Sequence, residues 1–155
     1  MSRDFVGTKS THSSAETERF GEVLGERILR GASVCLTGPL GAGKTVLVAG
    51  LCRGLGARDA VTSPTFILME SFAGRLPIVH IDLYRLEHER EIEDIGVFDL
   101  LGGDTVVIAE WGERSPSFYA AADIDIRIEP GDGTARTIRV RATPSFARDL
   151  GRLAW

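Results

Sequence analysis

The segment most informative about the fold is Gly38-Pro39-Leu40-Gly41-Ala42-Gly43-Lys44-Thr45. It matches the pattern Gly-x4-Gly-Lys-Ser/Thr, in which glycines let a backbone loop wrap closely around phosphate groups. The N–H groups of such a loop form an anion-binding nest at the start of a helix. In this pattern the lysine bridges the β- and γ-phosphates and the hydroxyl of the last residue binds Mg²⁺. We therefore expect all eight residues to bind ATP together with Mg²⁺.

The segments on either side of this loop have the character that a phosphate-binding loop requires. The apolar run 33–37 before it is typical of a buried strand. After Lys44, apolar residues recur at helical spacing as far as residue 55, and Gly56 is a suitable helix stop. A chance match to the glycine pattern would not be expected to have a buried strand before it and a helix after it. The context therefore favours a strand–loop–helix unit.

The rest of the chain predicts an α/β protein with one domain, residues 1–155, in which residues 1–12 form a loose leader. Ser13 and Glu16 fit a capping box, with Glu16 bonded back to the amide of Ser13, for a helix that ends at Gly31. Further elements are predicted as two strands of a hairpin (66–72 and 76–83), an acidic helix (around 92–101), a buried strand (105–109), a terminal antiparallel hairpin (124–128 and 138–140) and a short helix (145–153). The expected fold is a P-loop NTPase with a mixed, mostly parallel central sheet flanked by helices.

The composition is that of a globular protein without a membrane segment. No apolar run approaches the roughly 20 residues that a membrane-spanning helix needs, and the polar start is not a signal peptide. We therefore expect a cytoplasmic location. The net charge of −4 offers no general attraction to nucleic acid, so any involvement of RNA is expected to be indirect. Cys35 and Cys52 lack CxxC spacing and are expected to be buried thiols.

Two carboxylates follow predicted strands and are candidates for work beside the phosphates. Asp82 follows the run 78–81, and Glu110 follows the run 106–109. The carboxyl ends of parallel strands face the ligand crevice in open α/β sheets. The sequence contains no Asn and no Gln, so one of these carboxylates is expected to orient the attacking water while the other serves Mg²⁺. The alternative for each is a solvated carboxylate at a strand edge.

The segment Ser63-Pro64-Thr65-Phe66 lies between the predicted P-loop helix and the next strand. In P-loop proteins a threonine in this region often senses the γ-phosphate, and we assign that role to Thr65. The alternative interpretation is a plain turn with Pro64 at its second position.

Four segments together resemble one protein family: the P-loop at 38–45, Ser-Pro-Thr-Phe at 63–66, His-x-Asp-x-Tyr-Arg at 80–85 and Glu-Trp at 110–111. The resemblance is to the bacterial tRNA threonylcarbamoyladenosine biosynthesis ATPases, the TsaE (YjeE) family, and covers roughly residues 8 to 141. This sequence differs from the family's usual loop at two positions: Pro39 replaces an acidic residue, and Val46 replaces a threonine.

The resemblance implies a Mg²⁺-dependent ATPase that acts with TsaD-like and TsaB-like partners. Those partners install threonylcarbamoyl on the adenosine next to the anticodon in tRNAs that read codons starting with A. By position, Thr45 and Glu110 match the family's magnesium site and Asp82 its second acidic residue. We accordingly expect Glu110 to serve the metal, and Asp82 and Lys44 to be catalytic, with Asp82 orienting water.

Two alternatives to this function are a small P-loop kinase and a nucleotide-gated binding module with negligible turnover. A kinase usually carries an arginine-bearing lid, for which 155 residues leave little room. A GTPase is disfavoured because its guanine-specificity motif requires asparagine.

Overall fold

The computed structural model describes residues 2–59 and 69–155, which form seven strands and five α-helices. The strands are β1 (Asp4–Thr11), β2 (Ala32–Thr37), β3 (Met69–Ala73), β4 (Pro77–Asp82), β5 (Val106–Glu110), β6 (Ile124–Pro130) and β7 (Arg136–Ala142). The helices are α1 (Ser14–Glu26), α2 (Lys44–Gly54), α3 (Glu89–Asp94), α4 (Pro116–Ala121) and α5 (Pro144–Leu150). Two 3₁₀ turns, Val97–Leu100 and Gly112–Arg114, follow α3 and β5.

All seven strands belong to one mixed sheet in the order β1-β7-β6-β2-β5-β4-β3. The four central strands β6, β2, β5 and β4 run parallel, while β7 and β3 run antiparallel to their neighbours. The strand β2 is buried along its whole length, as its apolar sequence predicts. The predicted fold class, including the antiparallel hairpin β6–β7 near the C-terminus, is confirmed.

Helices cover both faces of the sheet. Side chains of α1, α2 and α5 pack on one face, where Val34 and Leu36 of β2 also point. The other face, which carries Cys35, is covered by the segment from α3 to α4, with Ile92 and Phe118 as its largest fully buried side chains. Alternate side chains of β2 therefore point into two separate apolar layers, one on each face of the sheet.

The expectation that residues 1–12 form a loose leader is wrong. Asp4–Thr11 form the edge strand β1, which pairs antiparallel with β7 from Asp4↔Ala142 to Thr11↔Arg136. The segment is mostly polar, so it lacks the apolar alternation by which a strand is recognised in sequence. Its inward positions are instead filled by Gly7, over which the indole of Trp155 packs, and by Thr11.

The predicted cap of α1 is confirmed in part. Oγ of Ser13 accepts a hydrogen bond from the N–H of Glu16 at 3.1 Å. The carboxylate of Glu16 accepts from the N–H of His12, one residue before the amide that the capping box predicts. The helix ends at Glu26 rather than at Gly31.

Four glycines let α1 and α2 pack with their backbones almost in contact. A methyl group at Gly50 or Gly54 would stand 2.1 Å from the carbonyl oxygen of Glu18 or Glu22, respectively. The glycines of α1 are equally close to α2. A methyl group at Gly21 would lie 2.6 Å from the carbonyl oxygen of Leu47, and one at Gly25 would lie 2.3 Å from that of Leu51. This close contact fixes the helix that begins at the end of the glycine loop.

Most of the remaining predicted elements are present with changed bounds, but one predicted helix is divided and one helix was not predicted. The hairpin β3–β4 is antiparallel as predicted, and the part of its first strand before residue 69 lies outside the described residues. The acidic stretch forms a six-residue helix and a separate 3₁₀ turn, because Gly96 with φ of +79° interrupts it. Helix α4 was not predicted. Within the described ranges, no helix has the length and apolar character needed to cross a membrane.

Candidate nucleotide-binding site

The glycine loop connects the end of β2 to the start of α2, as expected. All three of its glycines have conformations that other residues rarely adopt: φ is +149° at Gly38, +79° at Gly41 and +102° at Gly43. A methyl group at Gly38 would also lie 2.3 Å from the carbonyl oxygen of Ile128 in β6. Gly43 is the N-cap of α2 and is left-handed, a backbone state that carries no strain for glycine. The loop is therefore held against the neighbouring strand with its shape determined by glycine.

Lys44 extends back across this loop. Its side chain is buried, with only 5% of its surface exposed. Nζ donates to the carbonyl oxygens of Gly38 at 2.6 Å and Pro39 at 2.9 Å, and it lies 4.0 Å from the ring centroid of Trp111. Burial lowers the pKa of the ammonium, although the charge of Glu110 opposes this shift. The cation is thus held above the segment that would surround a phosphate.

Thr45 and Glu110 are in direct contact. Oγ1 of Thr45 donates to Oε1 of Glu110 at 2.9 Å, and Oε2 of Glu110 lies 2.6 Å from Nε2 of His80. His80 is completely buried and Glu110 nearly so. Both oxygens of this carboxylate are therefore bonded, one to the first turn of α2 and one to β4. A buried carboxylate held from two sides has one orientation.

Asp82 lies beside Glu110 at the same edge of the sheet. The two residues are paired in the parallel register of β4 and β5, and each is the last residue of its strand. Oδ1 of Asp82 accepts from the N–H of Tyr84 at 2.9 Å. Its negative charge also raises the pKa of Lys44, against the larger effect of burial. The structure therefore brings together Lys44, Thr45, Asp82 and Glu110, as their sequence positions predict.

Thr65, the predicted γ-phosphate sensor, lies with residues 60–68 outside the described residues. Its role stays a prediction.

The geometry of this edge fits a magnesium ion that is shared with phosphate. Mg²⁺ takes oxygen ligands at about 2.1 Å in an octahedron, so neighbouring ligands stand roughly 3 Å apart. Oγ1 of Thr45 and Oε1 of Glu110 are 2.9 Å apart and are of the right chemical type. Among residues 2–59 and 69–155, no group of three or more His, Cys, Asp and Glu side chains could hold a metal ion. A site with two protein ligands is what Mg²⁺ uses when phosphate and water supply the rest.

Sequence reasoning assigned no role to three residues that support the site, although His80 and Trp111 belong to the motifs that carry the family resemblance. His80 occupies a buried position of β4 two residues before Asp82, and this polar residue in an apolar strand was the available signal. Trp111, which has φ of +58°, covers Lys44 and packs at 5.0 Å between ring centroids on Tyr84. Arg136 of β7 donates from Nε to the carbonyl oxygen of Ala42 at 2.8 Å. Nothing in the local sequence connects Arg136 to a loop so distant along the chain.

Together, the central parallel strands, the glycine loop and the helix that starts at Lys44 define a P-loop NTPase fold. The crystal structure of Bacillus subtilis YdiB has this fold: it superposes with a TM-score of 0.75, covers 98% of this chain and 97% of its own, and is 24% identical.

Sequence comparison identifies the family within that class. The family model for threonylcarbamoyl adenosine biosynthesis protein TsaE matches residues 11–138. The tRNA threonylcarbamoyladenosine biosynthesis protein TsaE of Treponema pallidum is 43% identical over 69% of this chain and 79% of its own. The protein of the same name from Haemophilus influenzae is 36% identical over 85% and 87%, and that from Nostoc is 35% identical over 97% and 91%. The chain belongs to the TsaE family, whose members take part in tRNA threonylcarbamoyladenosine biosynthesis.

Proposed function

We propose that this protein binds ATP with Mg²⁺ and hydrolyses it in support of threonylcarbamoyladenosine formation next to the anticodon in tRNAs that read codons starting with A. It acts with TsaD-like and TsaB-like partners, which carry out the transfer. The contact between Thr45 and Glu110 beside the buried Lys44 is the observation that carries the proposal. Family membership supports the pathway.

The roles of the residues follow from their positions. The amides at the start of α2 and the ammonium of Lys44 attract the phosphates of ATP, because both present positive charge in a partly desolvated loop. When bound, Mg²⁺ would neutralise charge on the phosphate oxygens, held by Thr45 and Glu110. Asp82 stands one strand over from Glu110, at a place from which a carboxylate can accept a hydrogen bond from an attacking water.

Glu110 suits the metal role better than Asp82 does. Its two oxygens are fixed by Thr45 and His80, and one of them already faces the threonine hydroxyl that the P-loop pattern assigns to Mg²⁺. Asp82 is half-buried and at the strand end, so its carboxylate is closer to solvent. A residue that orients water needs such access, whereas a metal ligand benefits from burial.

The test is phosphate release from Mg-ATP by the purified chain, with and without a TsaD–TsaB-like pair. We expect slow release alone and a clear increase with the pair. Release that responds to a small acceptor molecule and not to the pair would identify a kinase instead. Tight ATP binding without release, even with both partners present, would identify a nucleotide-gated binding module.

A further inference from the structure

The side chain of Arg136 bridges two parts of the fold. It begins β7, which is separated from β2 by the whole strand β6. Nε donates to the carbonyl oxygen of Ala42 at 2.8 Å, and Nη2 to that of Gly41 at 3.4 Å. Nη1 donates to the carbonyl oxygens of Ala135 at 2.8 Å and Gly133 at 3.1 Å. One guanidinium thus joins the phosphate-binding loop to the turn between β6 and β7.

These contacts determine which way the loop's peptide groups point. In a planar trans peptide the carbonyl and the N–H of the same unit point in opposite directions. Because Arg136 holds the carbonyl of Ala42, the N–H of Gly43 is directed away from Arg136. In the P-loop pattern this N–H belongs to the nest that receives phosphate. The cation also polarises the peptide in the sense that strengthens its N–H as a donor.

Arg136 is itself held by a rigid frame. The turn that precedes it is closed by hydrogen bonds from the N–H of Gly131 to the carbonyl of Ala135 at 2.8 Å, and from the N–H of Ala135 to the carbonyl of Asp132 at 3.0 Å. Across the strand, Arg136 pairs with Thr11 of β1. The hydroxyl of Thr134 ties the same turn to the carbonyl of His12 at 2.6 Å. A guanidinium anchored in this way can fix the loop.

We propose that Arg136 is a positioning residue that keeps the glycine loop in its phosphate-receiving shape, and this inference rests on the proposed function. Five fixed N–H donors let arginine bond several carbonyls at once, which an ammonium on a flexible stem cannot reproduce in the same geometry. Arg136→Ala removes the fork, and Arg136→Lys retains the charge without it. We expect both variants to loosen the loop.

A matched control comes from the same strand. Arg139 faces solvent and forms an ion pair with Glu129, with 3.8 Å between the two charged groups. Arg139→Ala therefore removes an arginine from β7 without touching residues 38–45. Thermal unfolding of all variants shows whether any effect comes from loss of the fold rather than from the loop.

The experiment has two readouts. Amide hydrogen exchange in the nucleotide-free protein is expected to speed up in residues 38–45 of Arg136→Ala and to remain unchanged in Arg139→Ala. Calorimetric affinity for Mg-ADP and Mg-ATP is expected to fall roughly tenfold in Arg136→Ala, because a loop that spends only about a tenth of its time in the receptive shape binds that much more weakly. Arg136→Lys is expected to rescue little of either.

The outcomes separate the inference from the proposed function. Unchanged exchange in the loop of Arg136→Ala overturns the inference, and so does a loosened loop with wild-type nucleotide affinity. A third outcome is that exchange in Arg136→Ala is faster only in the loop, while the wild-type protein binds neither nucleotide. This result would overturn the proposed function but would establish that Arg136 holds the loop.

Discussion

Thr45 and Glu110 are joined by a hydrogen bond of 2.9 Å, although 65 residues separate them in sequence. The bond links the first turn of α2 to the last residue of β5. The two oxygens that we propose as ligands of Mg²⁺ are therefore already side by side. A metal site assembled from such preformed parts would require little reordering on nucleotide binding.

Lys44→Ala is expected to weaken ATP binding by at least tenfold. The ammonium is bonded to two carbonyls of the loop, and loss of its proposed charge-assisted contact to phosphate would cost about 1.5–3 kcal/mol. Calorimetry with Mg-ATP measures the change. The matched control is Lys9→Ala in β1, outside the loop, which should bind as wild type does. Equal affinities for wild type and Lys44→Ala would contradict the phosphate site.

Glu110→Ala is expected to affect magnesium-dependent binding, whereas Asp82→Ala is expected to affect turnover. Without Glu110 the dependence of ATP binding on Mg²⁺ should weaken, because the buried carboxylate next to Thr45 is lost. Without Asp82 nucleotide binding should remain nearly intact while turnover falls. Magnesium titrations and phosphate-release rates on both variants provide the measurement. Exchanged phenotypes would show that the two roles are reversed, and two silent variants would place the site elsewhere.

His80→Ala is expected to lower both stability and magnesium affinity. It removes the partner of Oε2 of Glu110, 2.6 Å away, and leaves a buried carboxylate oxygen unpaired. The cost of such a loss is about 1–3 kcal/mol. Urea denaturation and a magnesium titration test the two effects. His88→Ala serves as the control because His88 is exposed and makes no side-chain capping bond. A wild-type magnesium titration in His80→Ala would show that His80 does not hold Glu110.

The site could be predicted from sequence where its residues are adjacent to a strand end or within a motif. Lys44, Thr45, Asp82 and Glu110 belong to that group, since parallel strands bring their carboxyl ends to one edge. Arg136 could not be found, because its bonds go to backbone carbonyls, which carry no sequence signature. The sequence pattern also missed β1, since a polar edge strand lacks apolar alternation.

Both cysteines are expected to resist modification in the folded protein. Burial raises the pKa of Cys52 to about 12 and that of Cys35 further still. The thiolate is the reactive form, so at pH 8 both thiols are almost entirely in the unreactive protonated form. Reaction with a thiol reagent should be slow at pH 8 and complete once guanidinium chloride unfolds the chain. Rapid reaction of either thiol in the native protein would contradict the burial.

Gly50→Ala is expected to destabilise the protein although alanine is the better helix former. Propensity alone would favour alanine by about 1 kcal/mol. The added methyl group, however, would lie 2.1 Å from the carbonyl oxygen of Glu18, a backbone atom that no rotamer change can move. The helices must then separate, and overpacking of this kind costs about 1–3 kcal/mol. We expect the free energy of unfolding, measured in urea, to fall. The control is Gly103→Ala, where the nearest heavy atom to the added methyl group lies at 3.7 Å. If Gly50→Ala and Gly103→Ala had the same free energy of unfolding, α1 and α2 could move apart without loss of stability. The glycine contact would then not be what fixes α2.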